Sequence, residues 1–172
     1  MHVYRSHHCG ALSHADIGQT VKLSGWVNRK RDHGGVVFID LRDHYGLTQC
    51  VVDSTDSAFG AAEQLRNESV ITITGEVRSR SEDTVNKALS TGKIEVQIAA
   101  LELQSAADTL PLQVNSEEDS GEEVRLRYRY LDLRRQRPHA NIMLRAKIIQ
   151  SIRQRMVALG FTEFQTPILT AS

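Results

Sequence analysis

Five side chains able to contact a ligand are spaced along the chain: Phe38, Gln49, Arg78, Arg80 and Glu95. Each lies in a segment where aliphatic residues recur at about every second position, which is typical of a β-strand with one buried face. In three of the four segments the aliphatic residues mostly take the alternate positions, and the segment of Gln49 is less regular. The alternation therefore predicts that all five side chains point away from the core, onto the outer surface of one sheet.

These residue types match the chemistry of single-stranded nucleic-acid recognition. An aromatic ring can stack on an unpaired base, an amide or a carboxylate can hydrogen-bond to a base edge, and arginines can hold phosphates. The run Arg29-Lys30-Arg31 adds positive charge at the end of the first segment. The pattern favours an RNA-binding surface, although a solvated sheet face with one outward aromatic is the simpler alternative.

The segments themselves predict a small β-rich domain. Five strands are expected, at 21–28, 36–42, 47–52, 70–80 and 94–103. Asp43-His44-Tyr45-Gly46 predicts a tight turn between the second and third strands, and 57–65 has the spacing of a short helix. Five strands with a helix after the third predict an OB-fold barrel, although a plain five-stranded sheet fits the same pattern.

The alternation also predicts the core of this domain. On the third strand Leu47 and Val51 share the side of Gln49, so that strand has the least regular pattern. The expected core residues are Val37, Ile39, Leu41, Cys50, Val52, Ile71, Ile73, Gly75, Val77, Ile94, Val96 and Ile98.

Composition narrows the functional class only slightly. The chain has 172 residues, of which 21 are Lys or Arg and 21 are Asp or Glu, so the net charge is zero. Only the local distribution of charge can therefore argue for or against a nucleic-acid partner. Cys9 and Cys50 fit a reducing compartment better than a disulfide scaffold. We see no signal peptide and no apolar run near the roughly 18 residues of a membrane span, so we expect a cytoplasmic protein without membrane association.

The pattern changes after residue 104. Residues 105–137 begin with a stretch rich in Ser, Asp and Glu and predict a linker or hinge. Pro138 is expected to open a helix that stops near Gly160, followed by an extended segment at 161–169. The helix carries one apolar stripe, formed by Ile142, Ala146, Ile149, Ile152, Met156 and Leu159.

These features divide the chain into three predicted parts. Residues 1–104 form the barrel, 105–137 form the linker, and 138–172 begin a second α/β domain. The predicted helix and extended segment of this last part have no visible packing partner in the remaining sequence. We therefore expect the second domain to be truncated.

Several sequence blocks carry a family resemblance: GWVNRKRD at 25–32, FIDLRD at 38–43 and LRNE at 65–68. They resemble the anticodon-binding domain of bacterial aspartyl-tRNA synthetases. RLRYRYLDLRR at 125–135 is similar to a stretch shared with lysyl and asparaginyl synthetases, and FTEFQTPIL at 161–169 resembles motif 1 of class II synthetases. The alternatives are one of those two related synthetases or a free-standing OB-fold RNA-binding module.

The resemblance implies a role for each matching residue. Phe38 would stack on the middle anticodon base, Gln49 would hydrogen-bond to a neighbouring base edge, and Glu95 would read the first anticodon base. Arg31 would contact the anticodon. The implied partner is aspartate tRNA, whose anticodon has a central uracil.

Arg78 and Arg80 would support the anticodon loop in the same comparison.

The residues that follow Arg31 differ from the form of the family that discriminates between aspartate and asparagine tRNAs. That form typically has Leu-Gly-Ser after the Arg-Asp pair, whereas this chain has His33-Gly34-Gly35 after Asp32.

This turn resembles the non-discriminating branch, which also charges asparagine tRNA. Thr84 departs as well, because the discriminating form often has a longer polar residue there. The resemblance thus includes Asp32 and His33 in the anticodon-binding surface and implies a parent enzyme that accepts both tRNAs. The alternative is that His33 is an ordinary exposed turn residue.

The implied activity of the intact family member is aspartate–tRNA ligation with ATP and Mg²⁺. Class II synthetases bind ATP and the amino acid through motifs 2 and 3, which this sequence lacks. We therefore predict no catalytic residues and no cofactor in this chain, and no formation of aspartyl-adenylate by it alone. His7-His8-Cys9 lacks a second ligand pair at zinc-like spacing, so no metal site is predicted.

Motif 1 is a dimer element in this family. The resemblance implies a homodimer in the intact enzyme and a corresponding interface on this segment. The expected interface residues are Ile149, Ile152, Met156, Phe161 and Pro167.

Overall fold

The structure is a computed structural model that describes residues 2–116 and 120–167. The chain divides into two compact units, Met1–Pro111 and Leu112–Ser172. The first unit contains a short helix, α1 (Phe59–Glu63), between its third and fourth strands. Its strands are β1 (Thr20–Asp32), β2 (Val36–Arg42), β3 (Leu47–Asp53), β4 (Val70–Ser79) and β5 (Ile94–Ser105).

The strands close into a barrel in the order β1-β2-β3-β5-β4. Neighbouring strands are antiparallel except β3 and β5, which run parallel. The antiparallel pairs alone would give an open sheet with β3 and β5 at its edges, and the pairing of β3 with β5 closes it. The OB-fold prediction is confirmed, including the helix after the third strand.

Strand alternation builds the core as predicted. Along β2, buried and partly exposed residues alternate without exception, and β5 does the same from Ile94 to Ile98. Burying an aliphatic side chain contributes about 1.5–3 kcal/mol, so the choice of inward face is strongly determined. The predicted core residues Val37, Ile39, Leu41, Cys50, Val52, Ile71, Ile73, Val77, Ile94, Val96 and Ile98 are all buried.

Gly75 allows β4 and β5 to approach closely. The register of the two strands shifts between Thr74 and Gly75. A Cβ atom on Gly75 would lie 2.1 Å from the backbone oxygen of Gln97, and rigid strand backbone cannot move away easily. We expect Gly75→Ala to lower the free energy of unfolding by about 1–3 kcal/mol, measured by urea denaturation.

Gly60 in α1 is the matched control, because a Cβ there would meet nothing within 4 Å. Gly60→Ala should be neutral or stabilise by roughly 0.5–1 kcal/mol. Equal effects of the two substitutions would show that close strand approach is not what requires Gly75.

The block at 65–68 braces the barrel wall. Glu68 is buried in a left-handed conformation (φ 66°), and its N–H donates to the Val27 carbonyl at 2.7 Å. Its carboxylate accepts from Arg42 Nη2 at 2.7 Å, and Arg42 Nη1 donates to Asn28 Oδ1 at 2.5 Å. The segment that leads into β4 is thereby tied to β1 and β2.

The turn between β2 and β3 also anchors the N-terminal segment. Asp43 N–H donates to the Gly46 carbonyl, and Asp43 Oδ1 accepts from the N–H groups of Tyr45 and Gly46. Asp43 Oδ2 accepts from Cys9 N–H at 2.9 Å. The predicted turn is confirmed, and Cys9 lies buried beside it as a free thiol.

The second unit contains three helices in its described residues: α2 (Glu122–Arg127), α3 (Arg129–Asp132) and α4 (Gln136–Ala158). Two of them lie within 105–137, the range predicted as a linker. Composition favoured a linker there because the range is rich in charge. The structure shows that part of this charge is paired internally.

Asp132 is the centre of that pairing, with no exposed side-chain surface. Its two oxygens lie 3.1 Å from Arg125 Nε, 2.6 Å from Arg129 Nη1 and 3.6 Å from Arg135 Nη1. Three guanidiniums around one carboxylate offset the cost of burying it. This cluster joins α2 and α3 to the start of α4.

Helix α4 begins at Gln136. Pro138 therefore lies in its first turn, where proline is tolerated. The helix ends at Ala158, close to the predicted stop at Gly160. Gly160 has a φ of 87°, and Phe161 N–H donates to the Met156 carbonyl at 3.1 Å. Residues 161–167 have no regular secondary structure, while 168 and 169 lie outside the described residues. None of the described helices is long and apolar enough to span a membrane.

Candidate nucleic-acid interface

Strand register arranges the outer face of the barrel in two rows. In the first row, Arg31 on β1 pairs with Phe38 on β2, which pairs with Val51 on β3. Val51 in turn pairs with Gln97 on β5. An aromatic ring and an aliphatic side chain thus lie between a guanidinium and an amide.

The second row is polar throughout. Asp40 on β2 pairs with Gln49 on β3, and Arg78 on β4 pairs with Glu95 on β5. A hydrogen bond of 2.8 Å from Gln49 Nε2 to Glu95 Oε2 joins the two halves. The structure therefore confirms that Gln49, Arg78 and Glu95 share the outer face.

A chain of hydrogen bonds crosses this face. Arg31 Nη2 donates to Asp40 Oδ1 at 2.8 Å and lies 3.3 Å from Gln49 Oε1, to which it also donates. The Gln49–Glu95 hydrogen bond continues the chain, and Arg80 Nε lies 4.0 Å from Glu95 Oε2. Four strands and the residue after β4 converge on one cluster.

The side chains of this cluster are only partly exposed to solvent. The side chain of Asp40 is 16% exposed, and burial raises the pKa of its carboxyl group. The nearby guanidiniums of Arg31, Arg29 and Arg80 oppose that rise. Arg31 Nε and Arg80 Nε are buried and make no hydrogen bond within the described part of the chain.

The Phe38 ring is partly exposed beside the β1–β2 turn. The His33 ring meets it edge-on, with 5.6 Å between the ring centroids. A planar group bound to this part of the face could stack on the Phe38 ring, with the His33 ring at the edge of that contact.

The turn that carries His33 depends on two glycines. Gly34 and Gly35 have φ values of 63° and 113°, a region that favours glycine. Asp32 Oδ1 accepts from Gly34 N–H at 3.0 Å, and Ser54 N–H donates to the Gly35 carbonyl at 2.7 Å. Asp32 and His33 are exposed at the edge of the outer face.

The two arginines after the middle of β4 differ in exposure. The side chain of Arg78 is 52% exposed and donates to Gln97 Oε1 at 3.3 Å. The side chain of Arg80 is only 10% exposed. Arg78 can therefore reach a phosphate in solvent, whereas Arg80 lies within the cluster beside Glu95.

Two outer-face residues were not assigned from the sequence. Asp40 shares the alternate positions of Phe38, so parity places it on the face, but nothing local indicated its ion pair. Gln97 follows Glu95 by two residues and donates to Asp53 Oδ2 and Asp56 Oδ2 at 3.0 and 2.9 Å. Its amide oxygen is thereby turned toward Arg78.

Among the described residues, no group of three or more His, Cys, Asp or Glu side chains could hold a metal ion. Cys9 and Cys50 are free and buried, and burial raises the pKa of both thiols.

Comparison with known proteins identifies the family. Residues 21–105 match the OB-fold nucleic acid binding domain family, and 121–172 match the class II tRNA synthetases of the D, K and N group. An aspartate–tRNA(Asp/Asn) ligase from Acidiphilium cryptum is 62% identical over all 172 residues, which cover 29% of that protein. The chain belongs to the aspartyl-tRNA synthetase family.

A second ligase of the same name, from Paramagnetospirillum magneticum, is 59% identical over the whole chain, which covers 20% of that protein. The chain thus spans between a fifth and a third of the length of these curated relatives. Because these relatives are named as aspartate–tRNA(Asp/Asn) ligases, they favour the aspartyl enzyme over its asparaginyl and lysyl relatives. The class II match beyond the barrel argues against a free-standing RNA-binding module.

Solved structures agree with this fold. Asparaginyl-tRNA synthetase from Pyrococcus horikoshii superposes with a TM-score of 0.80 at 26% identity, over 95% of this chain and 38% of that one. An aspartyl-tRNA synthetase from Entamoeba histolytica gives 0.83 at 20% identity, over 95% and 39%. Both proteins therefore share the fold of this chain.

Proposed function

We propose that the intact protein is an aspartate–tRNA ligase and that the outer face of this barrel grips the anticodon loop of its tRNA. The observation that carries the proposal is the hydrogen-bonded cluster of Arg31, Gln49 and Glu95 beside the Phe38 ring. It combines a stacking surface with donors and acceptors that can read base edges. These are the components that single-stranded RNA recognition requires.

Each residue has a distinct role in this proposal. Phe38 stacks on the middle anticodon base, and the Gln49 amide hydrogen-bonds to a base edge beside it. Glu95 reads the first anticodon base, because a carboxylate accepts from the amino and imino groups of a purine edge. Arg31 contacts the anticodon from the opposite end of the cluster.

The remaining residues hold the backbone of the loop. Arg78 is exposed enough to pair with a phosphate, and Arg80 supports the loop through the Glu95 region. Within the described residues the buried Nε atoms of Arg31 and Arg80 make no hydrogen bond. This favours reorganisation when RNA binds, because an unsatisfied buried donor costs roughly 1–3 kcal/mol.

We propose further that the enzyme accepts both aspartate and asparagine tRNAs. Two features of the β1–β2 turn support this. The exposed His33 ring lies next to Phe38, and Asp32 Oδ1 accepts a hydrogen bond from Gly34 N–H. The relatives are named for both tRNAs, and the turn departs from the discriminating form. Charging of asparagine tRNA by the intact enzyme is the direct test, and failure to charge it would contradict this part of the proposal.

The turn can also be tested by substitution. If His33 relaxes selection at the third anticodon base, His33→Leu should weaken the asparagine stem-loop relative to the aspartate one by about 1 kcal/mol, roughly fivefold in Kd. Fluorescence titration of the two stem-loops, which differ only at that base, measures the ratio. An unchanged ratio would make His33 an ordinary exposed turn residue.

For the intact enzyme we propose ATP and Mg²⁺ as cosubstrate and cofactor, and no residue of this chain is assigned to either. The cytoplasm is the proposed location. We propose a homodimer through motif 1, supported by the exposed side chains of α4 and the segment after it. These are Ile149, Ile152, Met156, Phe161 and Pro167, and light scattering of the intact enzyme tests their role.

The main test is titration of the aspartate anticodon stem-loop against this chain. Binding should weaken when the middle uracil is replaced, because the bases on the face are read individually. Equal affinity for both stem-loops, or no binding at all, would overturn the assignment of this face.

A further inference from the structure

Asp40 is an unexpected residue on a surface that binds a polyanion. Strand parity places it on the outer face with Phe38, and its neighbours across the sheet are Arg29 and Gln49. Its carboxylate is 16% exposed, so it is costly to keep charged and it repels approaching phosphates. The role of Asp40 on this face must therefore come from the contacts that its carboxylate makes.

Those contacts form one continuous chain to a base-reading group. Arg31 Nη2 donates to Asp40 Oδ1 at 2.8 Å, and the same nitrogen is 3.3 Å from Gln49 Oε1. On its other side, Gln49 Nε2 donates to Glu95 Oε2 at 2.8 Å. With a guanidinium at one end and a carboxylate at the other, the Gln49 amide has only one favourable orientation.

We infer that Asp40 is a positioning residue for anticodon recognition, which holds Arg31 so that Arg31 orients the Gln49 amide; the inference rests on the proposed anticodon-binding function. Asp40 does not itself contact RNA. It restricts Arg31, whose long side chain would otherwise sample many rotamers. The amide then presents its free donor and acceptor to the base in a fixed order.

Asp40→Ala separates this role from simple electrostatics. Removing a carboxylate from an RNA-binding face should tighten binding if only charge matters. Positioning predicts the opposite: the Kd for the aspartate stem-loop should rise roughly tenfold, as for loss of a hydrogen bond to a charged group. The stem-loop with a replaced middle base should lose less, so discrimination between the two should fall.

Two further variants complete the experiment. Asp40→Asn keeps the shape and one acceptor and should give an intermediate loss, which also guards against misfolding of the alanine variant. Glu102→Gln removes an exposed carboxylate of β5 and is the charge control; its affinity should stay the same or rise slightly. In the free protein, Asp40→Asn should also shift the NMR signals of the Gln49 side-chain amide.

The outcomes distinguish this inference from the proposed function. Unchanged or tighter binding by both Asp40 variants, with unmoved Gln49 signals, would overturn the positioning role. If Phe38→Ala weakens binding in the same series, the proposed function stands despite that result. If Phe38→Ala has no effect either, the anticodon-binding function itself is wrong.

Discussion

Phe38→Ala is expected to weaken binding of the aspartate anticodon stem-loop by about 1–3 kcal/mol, roughly 5- to 150-fold in Kd. The ring lies partly exposed in the centre of the outer face, between Arg31 and Val51. Its removal takes away the stacking surface and leaves the core intact, because the residues on either side, Val37 and Ile39, supply the inward face. Fluorescence titration with a labelled stem-loop measures the loss.

Tyr45→Ala is the matched control for this substitution. Tyr45 is an aromatic residue, 59% exposed, in the turn between β2 and β3, where its ring packs against His8. Its removal should leave the affinity unchanged. Phe38→Leu should retain part of the contact area without the ring face, so its affinity should fall between those of wild type and Phe38→Ala. A loss for Tyr45→Ala equal to that for Phe38→Ala would place the RNA elsewhere.

Arg42→Ala is expected to lower the free energy of unfolding by about 3–5 kcal/mol, a large part of the roughly 5–15 kcal/mol typical of a domain. The substitution removes a guanidinium while the Glu68 carboxylate, only 3% exposed, stays buried. Trp26, the sole tryptophan of the chain, lies 5.9 Å from that guanidinium and reports on this wall of the barrel. Urea denaturation followed by its fluorescence measures the loss.

Two comparisons test the reason for this loss. Arg29→Ala removes an exposed arginine from β1 and should change stability by no more than about 0.5 kcal/mol. Combining Arg42→Met with Glu68→Gln should recover much of the stability, because this pair then leaves no buried charge. A loss below about 1 kcal/mol for Arg42→Ala would show that the pair does not brace the barrel.

Strand positions and inward faces were readable from the sequence because they are local. A strand with one buried face must place aliphatic residues at alternate positions, so Ile71 and Ile73 report both the strand and its orientation. The same parity identified the outer face, including Phe38 and Glu95. The turn at 43–46 was readable for a similar reason, since the Asp43 side chain hydrogen-bonds to its own turn.

Residues 105–137, which composition predicts as a linker or hinge, show that composition does not reveal which charges pair with one another. Residues 105–137 are rich in charged and small polar residues, which suggests a solvated segment. In the structure, Asp132 is buried and three arginines from α2, α3 and the start of α4 surround it. Charges that neutralise one another in space look identical, in a linear sequence, to charges that face water.

The sequence by itself determined the barrel, its core, its outward residues and the family they resemble, because each follows from periodicity or from short contiguous blocks. Only the tertiary structure decided how the outward residues are joined. Gln49 and Glu95 are 46 residues apart and meet because parallel pairing of β3 and β5 brings them side by side. The ion pair of Arg31 with Asp40 likewise depends on the β1–β2 register, which contains an irregularity between Val27 and Arg29. Hydrogen-bond partners across a closed barrel are set by strand register, and register is a property of the assembled sheet.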